Sequence, residues 1–323
     1  MTELFLEKSA VIGAGLMGSQ IGLVLAMGSR KTFLLSRRQE SLDAAVENIR
    51  RYAGDLHRHD LLGGETPEAV IARIQTTSDL EEAVSDVDYV VESISEILEA
   101  KQDLFERMDA LAPREAVLAS NTSGLPIGQL SARVRHKDRV AGAHFVQPGH
   151  IVPVVEVIRT PDTSDAAMER NCQVWEQLGR MPVRCNKDIP GFLINRLQHA
   201  VIREAVALLA SGVADVRSID LAVQLGLAPR FTTAGPLEQR DINGLTMHSQ
   251  VATHLWQHLS GTDEALKYLQ DMVARGETGL GSGKGYYDWS GKDPVTVRSD
   301  KDEQLLQRTR QVMEAWEARQ DKS

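Results

Sequence analysis

A glycine run, Gly13-Ala-Gly15-Leu-Met-Gly18, closes the apolar stretch Val11-Ile12 and constrains this chain more than any other feature. The G-x-G-x-x-G spacing alone is a weak signal, but here it follows a β-type run (Ser9 to Ile12) and opens a helical one (Gln20 to Ala26). In that context each glycine has a task. Gly13 permits a tight strand-to-helix turn, Gly15 lets the backbone approach a pyrophosphate, and Gly18 lets helix and strand pack closely. The exposed helical N–H groups beginning at Leu16 and Met17 then face the phosphates. The chain reads as opening on a dinucleotide.

The 323 residues allow one large or two medium domains, and 42% hydrophobic with 25% charged residues is ordinary globular usage. A net charge of −9 argues against a nucleic-acid or anionic-membrane surface. Cys172 and Cys185 are the two cysteines, with no CxxC and no metal-type spacing, so they read as reduced packing residues and no metal is expected. No signal-peptide pattern and no run of membrane-spanning length is present, which predicts a cytoplasmic protein. The polar stretch from Gln304 to Ser323 reads as a solvated amphipathic helix.

Lys31 to Ser36 reads as a second parallel strand whose end faces the adenosine ribose. A carboxylate usually meets the ribose 2′-hydroxyl there. This sequence has Ser36-Arg37-Arg38, which removes the group that repels a 2′-phosphate and supplies two cations, so NAD(P) is expected with NADP favoured over NAD. The other reading is that both arginines are solvated charges and Ser36 tolerates NAD. Gln39 to Ile74 reads as an inserted helical hairpin, followed by strands at Asp88 to Ile94 and Val117 to Ser123. Strands alternating with helices imply an α/β fold, a Rossmann-type doubly wound parallel sheet that binds ligands beyond its strand carboxyl ends.

His144 ends the run Arg139 to Phe145, and Glu156 lies on the next apolar run, Ile151 to Val157. A loop containing Pro148, Gly149 and Pro153 could turn the chain back so that the carboxylate accepts one imidazole N–H and leaves the other nitrogen to exchange a proton with a hydroxyl. Spacing alone leaves an acid–base dyad and a structural pair equally open.

Eight blocks in order give the chain its resemblance: GAGLMG at Gly13, Val90 to Glu96, Ser120-Asn-Thr-Ser123, His144 to Pro148, Val155-Glu156-Val157, Pro190 to Leu197, Gly235-Pro-Leu-Glu238 and Gly281 to Tyr287. Over nearly its whole length it resembles the 3-hydroxyacyl-CoA dehydrogenase superfamily. The resemblance implies that His144 is the general base, Glu156 its orienting partner, and Ser123 and Asn195 the residues that hold the substrate's oxygen atoms. It also implies cofactor contacts at Glu96, Lys101 and Asn121. It divides the chain into a dinucleotide-binding domain, 1–188, and an all-helical substrate and dimerisation domain, 189–323. Phe192 to Ser211 reads as an unbroken apolar helix, suited to a subunit interface or to an ordinary core.

Four departures from the family bear on the substrate: Ser36 in place of the ribose aspartate, Gln147 in place of an asparagine, Gly149-His150-Ile-Val-Pro153 in place of a run ending in lysine, and an arginine-bearing approach, Leu227 to Pro236. The last is similar to the branches acting on free polar hydroxy acids: gulonate dehydrogenase (λ-crystallin), carnitine dehydrogenase and pyridine-carboxylate dehydrogenase. Gln147, His150 and Arg230 are the candidate substrate residues, with Arg230 able to grip a carboxylate bidentately. A surface arginine and a loop histidine are the plainer readings of the last two.

The expected function is hydride transfer between NAD(P) and a small, polar, carboxylated 3-hydroxy compound, its partner being that hydroxy acid or the corresponding keto acid, in a homodimer. A 3-hydroxyacyl-CoA, with 3-hydroxybutyryl-CoA foremost, is the alternative, supported by the basic residues Arg50, Arg51, His57, Arg58 and His59. A non-catalytic dinucleotide-binding protein is the third reading, opposed by the complete set of site residues.

Overall fold

The computed structural model describes residues 5–259 and 263–320. The chain forms two compact units, one running to Asn195 and resuming at Asp302, the other from Arg196 to Lys301. The first begins with β1 (Leu6–Ile12), α1 (Leu16–Ala26), β2 (Ser29–Leu35), α2 (Gln39–Arg58), α3 (Pro67–Ile71), β3 (Ile74–Thr77) and α4 (Leu80–Val84). It continues with β4 (Tyr89–Glu92), α5 (Leu98–Leu111), β5 (Val117–Ser120), α6 (Ile127–Leu130), β6 (Val140–Phe145), β7 (Val154–Ile158), α7 (Asp165–Gln177) and β8 (Met181–Cys185).

All eight strands join one sheet in the order β3-β2-β1-β4-β5-β6-β7-β8. Pairing is parallel except between β6 and β7. The central strands are buried on both faces, as the unbroken apolar runs in β1 and β4 require. Helices cover each face and enclose two apolar clusters, one around Trp175, Leu25 and Ile49, the other around Phe105, Met108 and Leu118. Strand order reverses between β1 and β4, and the glycine loop sits at that switch, where ligands of such sheets bind.

Local chemistry explains where the elements start. Thr66 caps α3 by accepting from Ala69 N (3.3 Å), with Pro67 at the first helical position, and Ser164 caps α7 through Ala167 N (3.1 Å). Along α2 the buried residues Leu42, Ala45, Ile49, Tyr52 and Leu56 recur at helical spacing and form the face turned into the apolar cluster shared with α1. The expected hairpin from Gln39 to Ile74 is α2 and α3, and it ends in an edge strand, β3, which is only four residues long and carries one fully buried position.

The second unit is helical: α8 (Ile194–Ala210, entering from the first unit), α9 (Val216–Leu221), α10 (Ala228–Phe231), α11 (Pro236–Asn243), α12 (Leu245–Leu255), α13 (Asp263–Ala274) and the first turns of α14 (Pro294–Gln320). The helix expected from Phe192 starts at Ile194, because Phe192 adopts a left-handed φ of 48° and buries its ring in the first unit's core.

The end of the chain departs from the expected division at 188/189. From Asp302 onward α14 belongs to the first unit, where Leu306 joins the apolar cluster on α2's side of the sheet. Arg310 pairs with Asp60 at 2.7 Å and Glu303 with His59 at 3.0 Å. The stretch expected to be solvated is a docked helix, because Leu305 and Leu306 give it a short apolar face and its charges meet those at the end of α2.

Candidate active site

The glycine loop meets the steric demands the fingerprint implies. Gly13 holds a φ of 121°, and a Cβ there would lie 2.3 Å from Ser93 O. A Cβ on Gly18 would lie 1.8 Å from Gly13 O, so strand and helix approach as only glycine permits. Gly15 is different: a Cβ there meets no protein atom within 4 Å, and its φ is an ordinary −79°. Neither backbone nor packing demands glycine at position 15, which leaves the approach of a ligand as its physical reason. No side chain caps the helix that follows, so the N–H groups at Leu16 and Met17 keep the polarity that binds a pyrophosphate. The residues present fit a dinucleotide.

Ser36 stands just past β2, and its Oγ accepts from Arg38 N (3.4 Å). Arg37 and Arg38 are both exposed at the entrance to α2, with no ion-pair partner among the described residues. No carboxylate occupies the strand tip.

His144 and Glu156 stand directly opposite one another in the β6–β7 ladder, where side chains share a face. His144 Nδ1 donates to Glu156 Oε2 at 2.7 Å. A carboxylate can only accept, so in the neutral imidazole the proton resides on Nδ1 and Nε2 keeps its lone pair. Glu156 is wholly buried, and its other oxygen accepts from Leu193 N (2.7 Å) and Ile194 N (2.9 Å), at the start of α8. Burial raises its pKa, but the hydrogen bonds from His144 and from these two amides outweigh burial and hold the carboxyl below its ordinary 4.5. The Phe192 ring lies tilted against the imidazole, centroids 5.6 Å apart.

Hydrogen bonds from the chain neighbours of this pair reach the other expected residues. Asn195, next to Ile194, donates from Nδ2 to Ser123 O at 3.1 Å. Ser123 N donates to Glu96 Oε1 at 3.1 Å. On the other side of His144, Phe145 N donates to Asn121 Oδ1 at 2.8 Å. Glu96 also accepts from Thr122 Oγ1 and from Gly124 N (3.3 Å), so one carboxylate shapes the loop after β5. Burial works against its charge, but the Thr122 hydrogen bond and the Lys101 cation prevail and lower its pKa. Four residues from four separate sequence blocks, Ser123, His144, Glu156 and Asn195, thus meet at the carboxyl ends of β5 and β6.

Four expected positions stand elsewhere or differently. Lys101, taken as a cofactor contact, is 1% exposed, and its Nζ pairs with Glu92 (2.5 Å) and Glu96 (3.2 Å). His150 does not join the dyad: the loop after β6 turns inward, and its ring stacks on Tyr52 of α2, centroids 4.1 Å apart. Gln147 is exposed just before Pro148. Arg230 is exposed on α10, in the second unit.

Sequence reasoning missed Glu92, Thr122 and Gln20. Glu92 is fully buried and accepts from Ser120 Oγ (2.6 Å), Ile94 N (2.7 Å) and Lys101. Its signal was available, since a carboxylate inside Tyr-Val-Val-Glu must find partners if the strand is buried. Gln20 Oε1 accepts from Gly149 N at 2.7 Å, fastening the loop after β6 to α1.

The profile described as 3-hydroxyacyl-CoA dehydrogenase, NAD binding domain, matches residues 8–189, and that described as 3-hydroxyacyl-CoA dehydrogenase, C-terminal domain, matches residues 191–289. The chain belongs to the 3-hydroxyacyl-CoA dehydrogenase family. It is 29% identical over 97% of its length to all of the 5-formyl-3-hydroxy-2-methylpyridine 4-carboxylate 5-dehydrogenase of Mesorhizobium japonicum. It is 36% identical over 87% of its length to all of a probable 3-hydroxybutyryl-CoA dehydrogenase of Deinococcus radiodurans. Among solved structures, that of a 5-formyl-3-hydroxy-2-methylpyridine 4-carboxylic acid 5-dehydrogenase, described as an NAD+-dependent dismutase, superposes with a TM-score of 0.87 at 28% identity, covering 96% of this chain and 99% of that one. The chain is therefore an NAD(P)-binding oxidoreductase of a family acting on CH–OH groups.

Proposed function

We propose that this enzyme interconverts a small, polar, carboxylated 3-hydroxy compound and its ketone, with the His144–Glu156 pair as the acid–base device. The observation that carries the reading is the 2.7 Å hydrogen bond from Nδ1, which leaves Nε2 of a nearly buried imidazole as a proton acceptor. In oxidation Nε2 takes the hydroxyl proton, and the Glu156 carboxylate, kept ionised by its amide donors, stabilises the imidazolium that forms. Ser123 and Asn195 hold the substrate's oxygen atoms, and Glu96 and Asn121 fix the loops beside the cofactor. The nicotinamide ring, when bound, accepts or returns the hydride.

Replacing His144 by alanine is expected to lower kcat by about 10²- to 10⁴-fold while NADH affinity stays within about 2-fold. Near-normal turnover in that variant would remove the pair from the chemistry.

The same reading gives the ribose end to NADP over NAD, on the strength of Ser36 and the two exposed guanidinium groups. Fluorescence titration with NADH and NADPH is expected to favour NADPH by about 10-fold in the wild type and to lose that preference in an Arg37→Ala/Arg38→Ala variant. A preference for NADH in the wild type overturns it. The protein is read as a cytoplasmic homodimer: Cys172 and Cys185 are buried free thiols, and apolar side chains such as Leu197, Leu225 and Leu237 are largely exposed on helical faces.

A 3-hydroxyacyl-CoA substrate is the second reading, favoured by the 36% identity to a probable 3-hydroxybutyryl-CoA dehydrogenase. The basic residues offered for the CoA phosphates weigh against it, because Arg50 pairs with Glu47, Arg58 with Asp55 and His59 with Glu303. Saturation by acetoacetyl-CoA at micromolar concentration would reverse the order of the two.

A further inference from the structure

The loop between β6 and β7 buries basic groups that the dyad does not use. Arg180, just before β8, is 6% exposed and donates from its guanidinium to the carbonyls of His150 (3.1 Å) and Val152 (3.4 Å). Both acceptors are neutral, and Nε has no hydrogen-bond partner. His150 is 3% exposed, and its Nδ1 is likewise without a partner. Burial and the charges of Arg180 and Arg51 push its pKa down to about 3, so it is a neutral imidazole, and the tautomer protonated at Nδ1 makes that atom a donor. Burial brings Arg180 down to about 10, which leaves it a cation at neutral pH.

Both residues line a cavity of about 390 Å³ that lies entirely within the first unit. The other walls are largely apolar, with Met27, Ile151, Leu178 and Met313 among them. Two carboxylates also line it, Asp60 and Glu314, and both are engaged by Arg310, at 2.7 Å and 2.9 Å. Burial alone moves the Arg180 guanidinium, with no carboxylate acting on it to offset the cost, a state that an anion would relieve. Its volume is that of a small-ligand site.

We propose that this cavity is a second binding site, separate from the His144 site, for a small organic carboxylate with an apolar body. The carboxylate takes the Arg180 guanidinium beside the His150 ring, and the body lies against Met27, Leu178 and Met313. Gly149, adjacent to His150, is held by Gln20 of α1, so an occupant borders the segment that links the cofactor helix to the dyad strand.

The test is calorimetric titration of the full chain with hexanoate, acetate and inorganic phosphate. Hexanoate is expected to bind one site per chain, with acetate and phosphate weaker by about 10-fold or more. Met313→Trp fills the cavity from α14 and leaves Arg180 untouched; it is expected to weaken hexanoate by about 10-fold or more while NADH affinity, the check on folding, is unchanged. Arg180→Met is expected to do the same, and because it also removes bonds to the loop carbonyls, the Met313 variant decides if Arg180→Met fails to fold. His144→Ala is expected to bind hexanoate as the wild type does. Absence of hexanoate binding leaves the cavity to water and overturns the proposal. Wild-type affinity in the Met313 variant puts the ligand elsewhere, and equal binding of phosphate makes the cavity a bare anion site; either result overturns it too.

Discussion

Glu156 combines complete burial with a carboxyl held below its ordinary 4.5, and the two are compatible only because three hydrogen-bond donors converge on it. A carboxyl whose folded pKa is depressed contributes stability that is fully present above its unfolded value and is lost as pH falls through the folded one. The melting temperature of wild-type protein is therefore expected to exceed that of Glu156→Gln by a constant margin above about pH 5, and the margin is expected to shrink as pH falls below about 4.5. A margin that persists unchanged at about pH 3 would show that the ionised form is not what the fold stabilises. The sequence made both members of the pair legible, as a strand-end histidine and a carboxylate within an apolar run. It left their relation open, because twelve residues of separation do not determine a register, whereas the ladder sets them face to face. His150 marks the limit of that reasoning. Its place in a run that departs from the family pattern made it a candidate substrate residue beside the plainer reading of a loop histidine, but nothing in Gly149-His150-Ile151 tells which way the loop turns, and the ring packs on Tyr52.

Between elements, the end of β4 is pinned to α5 and β5 through one carboxylate. Glu92 accepts from Lys101 on α5 and Ser120 on β5, and Lys101 reaches onward to Glu96, which shapes the loop that carries Ser123. Lys101→Met leaves Glu92 buried without its cation, which is expected to destabilise the first unit by about 3–5 kcal/mol. Denaturation followed by the fluorescence of buried Trp175 measures this. Adding Glu92→Gln to Lys101→Met should recover part of the loss; no recovery would mean that Lys101 acts through packing rather than charge. Strands β1, β2, β4 and β5 and the glycine loop were readable because long apolar runs alternate with helical periods. Edge strand β3 was not, since a partly exposed run of four residues after a short helix carries little period-two signal. The docking of α14 escaped notice for a similar reason, its contact with the first unit resting on few residues, Leu305 and Leu306 foremost, within a highly polar helix.

For the whole molecule, the contrast between the two units in what they expose is the governing fact. The first encloses its apolar side chains in two clusters around the sheet. The second leaves large apolar side chains in water along several helices, with Leu237 81%, Leu225 72%, Ile242 71% and Leu197 63% exposed. Monomeric proteins rarely tolerate so much exposed apolar surface, and the commonest way to cover it is a two-fold copy presenting the same face. The apolar run of α8 was visible in the sequence, but a core helix and an interface helix share one pattern, and on α8 the side chains of Leu197, Val201 and Ile202 are exposed. Sedimentation equilibrium is expected to give twice the 35.6 kDa chain mass. Leu197 and Val201 lie one helical turn apart on α8, so replacing both with lysine places two charges in the proposed interface. Burying unpaired charges there is expected to weaken self-association by at least about 10-fold and shift the protein towards single chains, with NADH affinity in the first unit retained. A wild-type protein that sediments as one chain at all concentrations would refute the dimer and leave the exposed faces of the second unit to be covered by something other than a second copy.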